Sequence, residues 1–341
     1  MTTLGWGIIG CSDIAARRFV PAVGQIEEAR LCAVLSRDLA RAQQFAARHG
    51  IERAYADRAA FLGDPQVDAV YVASPPYRHC AEVLACAEAG KHVLCEKPLA
   101  LNGAECRRMV DACRRNGVRL AVAYPRRYYP KVQKARALLE AGVIGQPVAA
   151  RVFLAGWYNP DPSEIKAWRL VKALAGGGPL MEVGSHRLDL LAYLLGEPVD
   201  VLALADRLVH RYEVEDSAAL LLRFRSNDVL VQVSAAFYWN LPAGRDEFEL
   251  LGTQGSLSLS PVDGPELVLR VGKEEQRASF PRADNVQLPL VQDFTYRILA
   301  GQDARFPGEE GMKASLIIDA AYESARTGRR VEVAPAPPVP A

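Results

Sequence analysis

The chain has 341 residues, enough for about two domains, and with 50% hydrophobic and 24% charged residues it is neither disordered nor fibrous. Lys and Arg number 41 against 40 Asp and Glu, a net charge of +1, so the sequence carries no electrostatic footprint for a nucleic acid or a membrane surface. No apolar run approaches the roughly 18 residues of a spanning helix, and the first residues lack the basic and apolar regions of a secretory signal.

Residues 1–123 alternate strands and helices. Leu4–Ile9 reads as a short apolar strand, Asp13–Gly24 has helical spacing, Leu31–Leu35 is a second strand, and Leu39–His49 is an Ala-rich helix closed by Gly50. Asp68–Ala73 is a continuous apolar strand of the kind buried on both faces of a parallel sheet. Helix Ala81–Ala89, strand His92–Cys95, helix Ala104–Arg115 and strand Arg119–Ala123 complete a rhythm that predicts a doubly wound α/β sheet. All seven cysteines fall in this first third without metal-ligand spacing, so reduced thiols of a cytoplasmic protein and no metal site are expected.

From Tyr124 the rhythm changes. A Pro- and aromatic-rich stretch leads into helix Val132–Ala141, and Gly176-Gly177-Gly178 precedes a long helix, Pro179–Leu195. Strands follow at Val199–Leu208, Ser217–Phe224, Val229–Phe237, Asp246–Leu251, Ser256–Leu259 and Leu267–Val271, joined by short turns that indicate a predominantly antiparallel sheet. A helix near Leu316–Thr327 closes a second, α+β domain over 124–333, and the Pro/Ala tail 334–341 is expected to be disordered.

Three motifs carry chemistry. The first strand runs into Gly10-Cys11-Ser12-Asp13-Ile14-Ala15, which holds the first and third positions of a dinucleotide fingerprint, with Ser12 where the middle glycine normally stands. Gly10 allows the tight turn, and the helix opening at Ser12, Asp13 and Ile14 faces a pyrophosphate. The second strand ends at Ser36-Arg37, a hydroxyl and a guanidinium where a carboxylate would select NAD, so NADP(H) is preferred with NAD(H) as the other cofactor. Asp38 either begins the next helix or bonds a ribose. In the second motif, Glu96-Lys97-Pro98 ends a parallel strand, where such sheets bind ligands. In the third, Glu182, His186 and Asp189 stand at i, i+4 and i+7 of one helix and share a face. Arg126 and Arg127 either pair locally or contact substrate.

Together these residues resemble the glucose–fructose oxidoreductase / inositol dehydrogenase / MocA family over nearly the whole chain. The shared pattern is a Gly-rich turn, an A/S-R step, an E-K-P strand end and a G-G-G…D-x-G-x-H-x-x-D helix; Ser74-Pro75-Pro76 with His79, and Trp168-Arg169, match as well. The resemblance implies a Rossmann domain followed by a large open sheet that packs against its copy in a homo-oligomer, a dimer or tetramer. It implies hydride transfer to or from a sugar, sugar derivative or polyol. Lys97 and His186 become the catalytic pair, with Glu182 in the position usually held by Asp. Ser74, Pro75, His79 and Glu96 go to the cofactor, and Trp168, Arg169 and Asp189 to the substrate. A redox-neutral sugar lyase or glycosidase would use the same residues; a non-catalytic NAD(P) sensor is a third reading, which loss of Lys97 or His186 would have supported, and both are present.

Overall fold

The computed structural model describes residues 3–241 and 244–339. Its internal contacts divide the chain into two compact units. The first takes the chain up to Pro125, Ala283–Met312 and the stretch from Pro337; the second takes Arg126–Arg282 and Lys313–Ala336. A single cut near residue 123 therefore does not describe the units, because Ala283–Met312 returns to the first.

The first unit is built on strands β1 (Leu4–Ile9), β2 (Ala29–Leu35), β3 (Arg53–Tyr55), β4 (Ala69–Val72), β5 (His92–Cys95) and β6 (Leu120–Val122). Their order is β3-β2-β1-β4-β5-β6 and every pairing is parallel, the doubly wound arrangement of a Rossmann sheet. Every residue of β1 and β4 is buried, as their unbroken apolar sequences require. Helix Leu39–His49 starts where the Asp38 carboxylate accepts the Arg41 N–H and stops at Gly50, whose φ is +66°. The sequence pattern misses β3 and the short helix Arg58–Leu62. The span read as one helix, Asp13–Gly24, contains a π-helical segment, Ala15–Phe19, before the α-turn Val20–Val23. Helix Leu288–Leu299, also unforeseen, is held by the core: Trp6 is fully buried, donates its indole N–H to Thr295 at 3.2 Å, and packs 6.0 Å from the Phe294 ring.

The second unit carries β7 (Pro147–Ala155), β8 (Pro198–Asp206), β9 (Ser217–Phe224), β10 (Val229–Ala236), β11 (Arg245–Gly252), β12 (Gly255–Ser258), β13 (Glu266–Val271), β14 (Glu274–Ser279) and β15 (Val331–Glu332) in one sheet, ordered β14-β13-β12-β11-β7-β10-β9-β8-β15. Only β7 and β10 pair in parallel; the other pairings are antiparallel. Helix Lys313–Thr327 lies on β8, fixed where the Ala203 N–H donates to Ser324 Oγ at 2.9 Å, and it also packs on helix Ser185–Leu195. In the tail, 334–339 has no helix or strand, yet Arg114 donates to the Pro338 carbonyl; residues 340 and 341 lie outside the described residues. No described helix is long and apolar enough to cross a membrane.

Candidate active site

At the carboxyl end of β1 the chain turns at Gly10, whose φ is +100°. A Cβ there would stand 3.0 Å from the Ala73 carbonyl oxygen and the Ser74 nitrogen, so the turn leaves a side-chain-free cradle of backbone at the strand end. Such a cradle beside a helix start fits a dinucleotide pyrophosphate. Ser12, the departure from the fingerprint, accepts the Ala15 N–H at 3.3 Å through its hydroxyl oxygen, and so caps the helical turn that opens at Asp13 while its own proton stays available to a phosphate. Asp13 faces Arg17 at 3.5 Å on the surface, and Ile14 is exposed.

At the end of β2, the Asp38 carboxylate accepts the Arg41 N–H and caps the next helix, as the helix-start reading has it. Arg37 is exposed and forms no ion pair with any described residue. Arg41, which no motif singles out, donates to the Cys11 carbonyl at 2.9 Å and so ties this helix to the glycine turn. Burial pushes the Cys11 thiol pKa up despite Arg41, which keeps the thiol protonated.

Ser74 and His79 are cofactor residues by sequence, but their side chains are committed to the protein. The Ser74 hydroxyl donates to the buried Glu82 carboxylate, which also holds Arg78 at 2.7 Å. The His79 ring is buried between backbone carbonyls, with Nε2 at 2.7 Å from Ser74 and Nδ1 at 3.0 Å from Pro98. It staples the segment after β4 to the segment after β5. Pro75 caps the helix Pro76–Glu88 from extended backbone.

Glu96 follows the last residue of β5 and is buried. Its Oε1 accepts from the Tyr71 hydroxyl at 2.5 Å and from Gln287 Nε2 at 2.9 Å; its Oε2 accepts the Lys97 N–H at 3.1 Å. Burial, and then the adjacent carboxylate, push the Tyr71 phenol well above its ordinary pKa, so it remains a donor. The Tyr71 ring stacks on Phe19 at 4.0 Å. Lys97 therefore leaves the sheet from a backbone fixed by its neighbour's carboxylate; it is half-buried, and the Lys97–Pro98 peptide is cis. Gln287 carries no sequence signal of this role.

In the second unit, the long helix begins irregularly: Leu180–Gly184 is π-helical and α-helix starts at Ser185. Glycine is required before it for space. A Cβ at Gly177 would stand 1.8 Å from the Tyr322 hydroxyl, and one at Gly178 would stand 1.9 Å from the Glu215 carbonyl. The Glu215 carboxylate fills the resulting corner, accepting the Gly178 N–H at 2.8 Å, the Leu180 N–H at 3.3 Å and the Tyr322 hydroxyl at 2.9 Å. It is an N-terminal cap that the sequence does not reveal. Its burial pushes its carboxyl pKa up.

Glu182 and His186 are the half-exposed residues of this helix face. Glu182 meets Arg169 at 3.3 Å, and the Arg169 guanidinium lies 5.6 Å from the Trp168 ring centre. Burial raises the pKa of Tyr158, and Arg169 and Glu182 are among the charges acting on it, so these four residues form one polar corner. Asp189 departs from its assignment to substrate. It is 1% exposed, and its two oxygens accept from Arg127 at 2.7 to 3.1 Å. The helix periodicity puts it on the shared face, but Arg127 closes that end. Arg126 likewise pairs within the protein, with Asp263 at 2.8 Å.

Residues 4–124 match the model of an oxidoreductase family with an NAD-binding Rossmann fold, GFO/IDH/MocA, and 132–258 match the C-terminal domain of the same family. The chain is 31% identical to a 1,5-anhydro-D-fructose reductase from Ensifer adhaerens, with 96% of this chain and 98% of that protein covered. Among solved structures, an aldose–aldose oxidoreductase from Caulobacter crescentus, complexed with glycerol, matches with TM-score 0.87 and 30% identity over 97% of this chain and 99% of that one. A levoglucosan dehydrogenase in complex with NADH matches with TM-score 0.89 and 25% identity over 98% and 100% of the two chains.

Proposed function

Because the chain belongs to the GFO/IDH/MocA oxidoreductase family, we propose that it is a dehydrogenase or reductase that prefers NADP(H) and acts on a CH–OH or carbonyl carbon of a sugar, anhydro sugar or cyclitol. The bound nicotinamide supplies the hydride acceptor or donor at its C4. Lys97 hydrogen-bonds the reacting oxygen and stabilises alkoxide charge as it develops. His186 takes or returns the hydroxyl proton, a task suited to an imidazole near neutral pH. Glu182, paired with Arg169, orients the substrate hydroxyls or the His186 ring; the extra methylene relative to Asp extends its carboxylate toward Arg169.

The observation that carries this reading is the Glu96–Lys97 step. A buried carboxylate with three hydrogen bonds fixes the backbone of a half-buried lysine at the ligand-binding edge of a parallel sheet. A solvated surface lysine needs no such support. Ser36 and the exposed Arg37, unpaired among the described residues, support the NADP(H) preference. Exposed Leu202, Leu204, Leu221 and Leu230 on β8, β9 and β10 support self-association through the outer face of the large sheet.

The test is a screen of aldoses, anhydro sugars and cyclitols with each nicotinamide cofactor, repeated on Lys97→Ala with the best substrate. Turnover is expected to fall roughly 10²–10³-fold in a variant that folds normally. Undiminished turnover removes Lys97 from the chemistry. Product formed without net change in the nicotinamide redox state selects the redox-neutral reaction instead.

A further inference from the structure

Gln287 lies on the segment that returns to the first unit from far along the chain, and it is 97% buried, with only 3% of its surface exposed. Its amide orientation is fixed by chemistry. Nε2 stands 2.9 Å from the Glu96 carboxylate, which can only accept, and 3.3 Å from the Tyr71 oxygen, whose proton is already given to Glu96. The nitrogen must face this pair, so Oε1 points away from it. No described residue donates to that oxygen. A buried acceptor left without a donor costs about 1–3 kcal/mol. The bonds to Glu96 and Tyr71 account for the amide nitrogen, and the buried oxygen is left for a donor that arrives from outside the protein.

Its neighbours identify the kind of donor. The Gln287 N–H donates to Asn285 Oδ1 at 3.1 Å, and Asn285 Nδ2 donates at 2.7 Å to the Arg18 carbonyl on the helical segment that follows the glycine turn. On its other side Gln287 grips Glu96, the residue before Lys97. The Gln287 backbone is thus tied through Asn285 to the end of the helical segment that follows the glycine turn, and its side-chain amide to the Glu96–Lys97 step. A pyrophosphate has no proton to give at neutral pH. A nicotinamide carboxamide and its ribose hydroxyls do.

We infer that Gln287 binds the nicotinamide half of the cofactor: its amide nitrogen anchors Glu96, and its carbonyl oxygen accepts a hydrogen bond from the carboxamide or from a ribose hydroxyl. This rests on the reading of the chain as a nicotinamide-dependent enzyme. It adds a residue that lies outside the fingerprint, the E-K-P step and the glycine–histidine helix.

The experiment is a fluorescence titration of the purified apoprotein with NADPH and with the reduced 3-acetylpyridine analogue, which lacks the carboxamide N–H. Wild type and Gln287→Met are compared, with apoprotein melting as the folding control. The variant is expected to bind NADPH roughly five- to tenfold more weakly. If the carboxamide is the donor, wild type prefers NADPH over the analogue and the variant loses that preference. If a ribose hydroxyl is the donor, affinity falls and the preference stays; either result supports the inference. Equal NADPH affinity in a folded variant overturns it. Should Gln287→Met fail to fold, Gln287→Asn keeps the amide but withdraws it by one methylene, and the same loss of affinity is expected. Absence of binding by the wild type to either nucleotide is a different failure, that of the cofactor reading itself.

Discussion

Arg127 and Asp189 form a fully enclosed ion pair: both side chains are 1% exposed, and Nη2 and Nε of the arginine meet both carboxylate oxygens. Asp189 is thereby a clamp between the helix Ser185–Leu195 and the chain entering the second unit. Removing one partner strands a charge in the interior, which costs about 3–5 kcal/mol. Asp189→Asn and Arg127→Met are each expected to lower the melting temperature strongly, whereas the double change Arg127→Met with Asp189→Leu recovers much of the loss. Thermal or urea unfolding of the three variants checks this. A small effect of either single change contradicts the clamp.

Lys131 gives a pH signature. Its ammonium is buried and donates to the carbonyls of Leu259 at 3.0 Å and Pro261 at 2.6 Å. Burial lowers its pKa from the usual 10.5 to about 8, against the pull of Asp246 and Asp263. Between those two values the unfolded chain holds more protons than the folded one. Stability contributed by this group therefore rises with pH across that window, by at most about 1.4 kcal/mol per pH unit. Lys131→Met is expected to be less stable throughout and to lose this slope. Urea unfolding at several pH values between about 8 and 10.5 shows whether wild type and variant differ in slope.

The elements legible in the sequence are those whose signal is local. Helix Leu39–His49 has its cap, its periodicity and its closing Gly50, and β9 alternates faithfully between buried and exposed residues. β7 was not legible: Pro147–Ala155 mixes Ala149 and Ala150 with Arg151, and its central place comes only from pairing with β10 and β11. The site divides in the same way. Glu96, Lys97, Glu182 and His186 stand in motifs. Glu215 and Gln287 are buried polar residues whose partners Gly178 and Glu96 lie 37 and 191 residues away, so no window of sequence contains the reason for them. Asp189 misled because helical periodicity reports which face a residue occupies and not what covers it.

The proposed NADP(H) preference rests on Arg37. A guanidinium that is exposed and unpaired among the described residues is available to a 2′-phosphate, and Ser36 adds a hydroxyl beside it. Arg37→Ala is expected to weaken NADPH binding roughly tenfold or more while leaving NADH nearly unchanged, since a charge-assisted contact to phosphate contributes about 1.5–3 kcal/mol. Titration with both nucleotides tests it. Equal or better use of NADH by the wild type defeats the preference.

The outer face of the large sheet predicts the assembly. Leu202 of β8 stands opposite Leu221 of β9 in the antiparallel register, and Leu204 and Leu230, 67% and 63% exposed, extend the patch along neighbouring strands. Clustered leucines of this exposure on one face of a sheet favour burial against a second copy. Light scattering is expected to show a dimer or larger species. Leu204→Glu with Leu221→Glu is expected to yield monomers with intact secondary structure. A wild-type monomer at micromolar concentration contradicts the proposal.

Glu215 is expected to link stability to turnover through the helix start. Its two oxygens take the Gly178 N–H on one side and the Leu180 N–H with the Tyr322 hydroxyl on the other. Glu215→Gln must turn an N–H₂ toward one of these donor groups, which leaves a donor facing a donor and costs about 1–2 kcal/mol. Because the cap lies only four residues before Glu182 and eight before His186, a shifted helix start moves both side chains, and turnover per folded molecule is expected to fall roughly tenfold. The cofactor turn lies in the other unit, so NADPH affinity is expected to stay at the wild-type value. This split is what distinguishes positioning from general damage. A variant that melts early but turns over normally below its transition reduces Glu215 to a stabilising cap, and one that loses cofactor affinity in parallel points to disturbance of the whole protein.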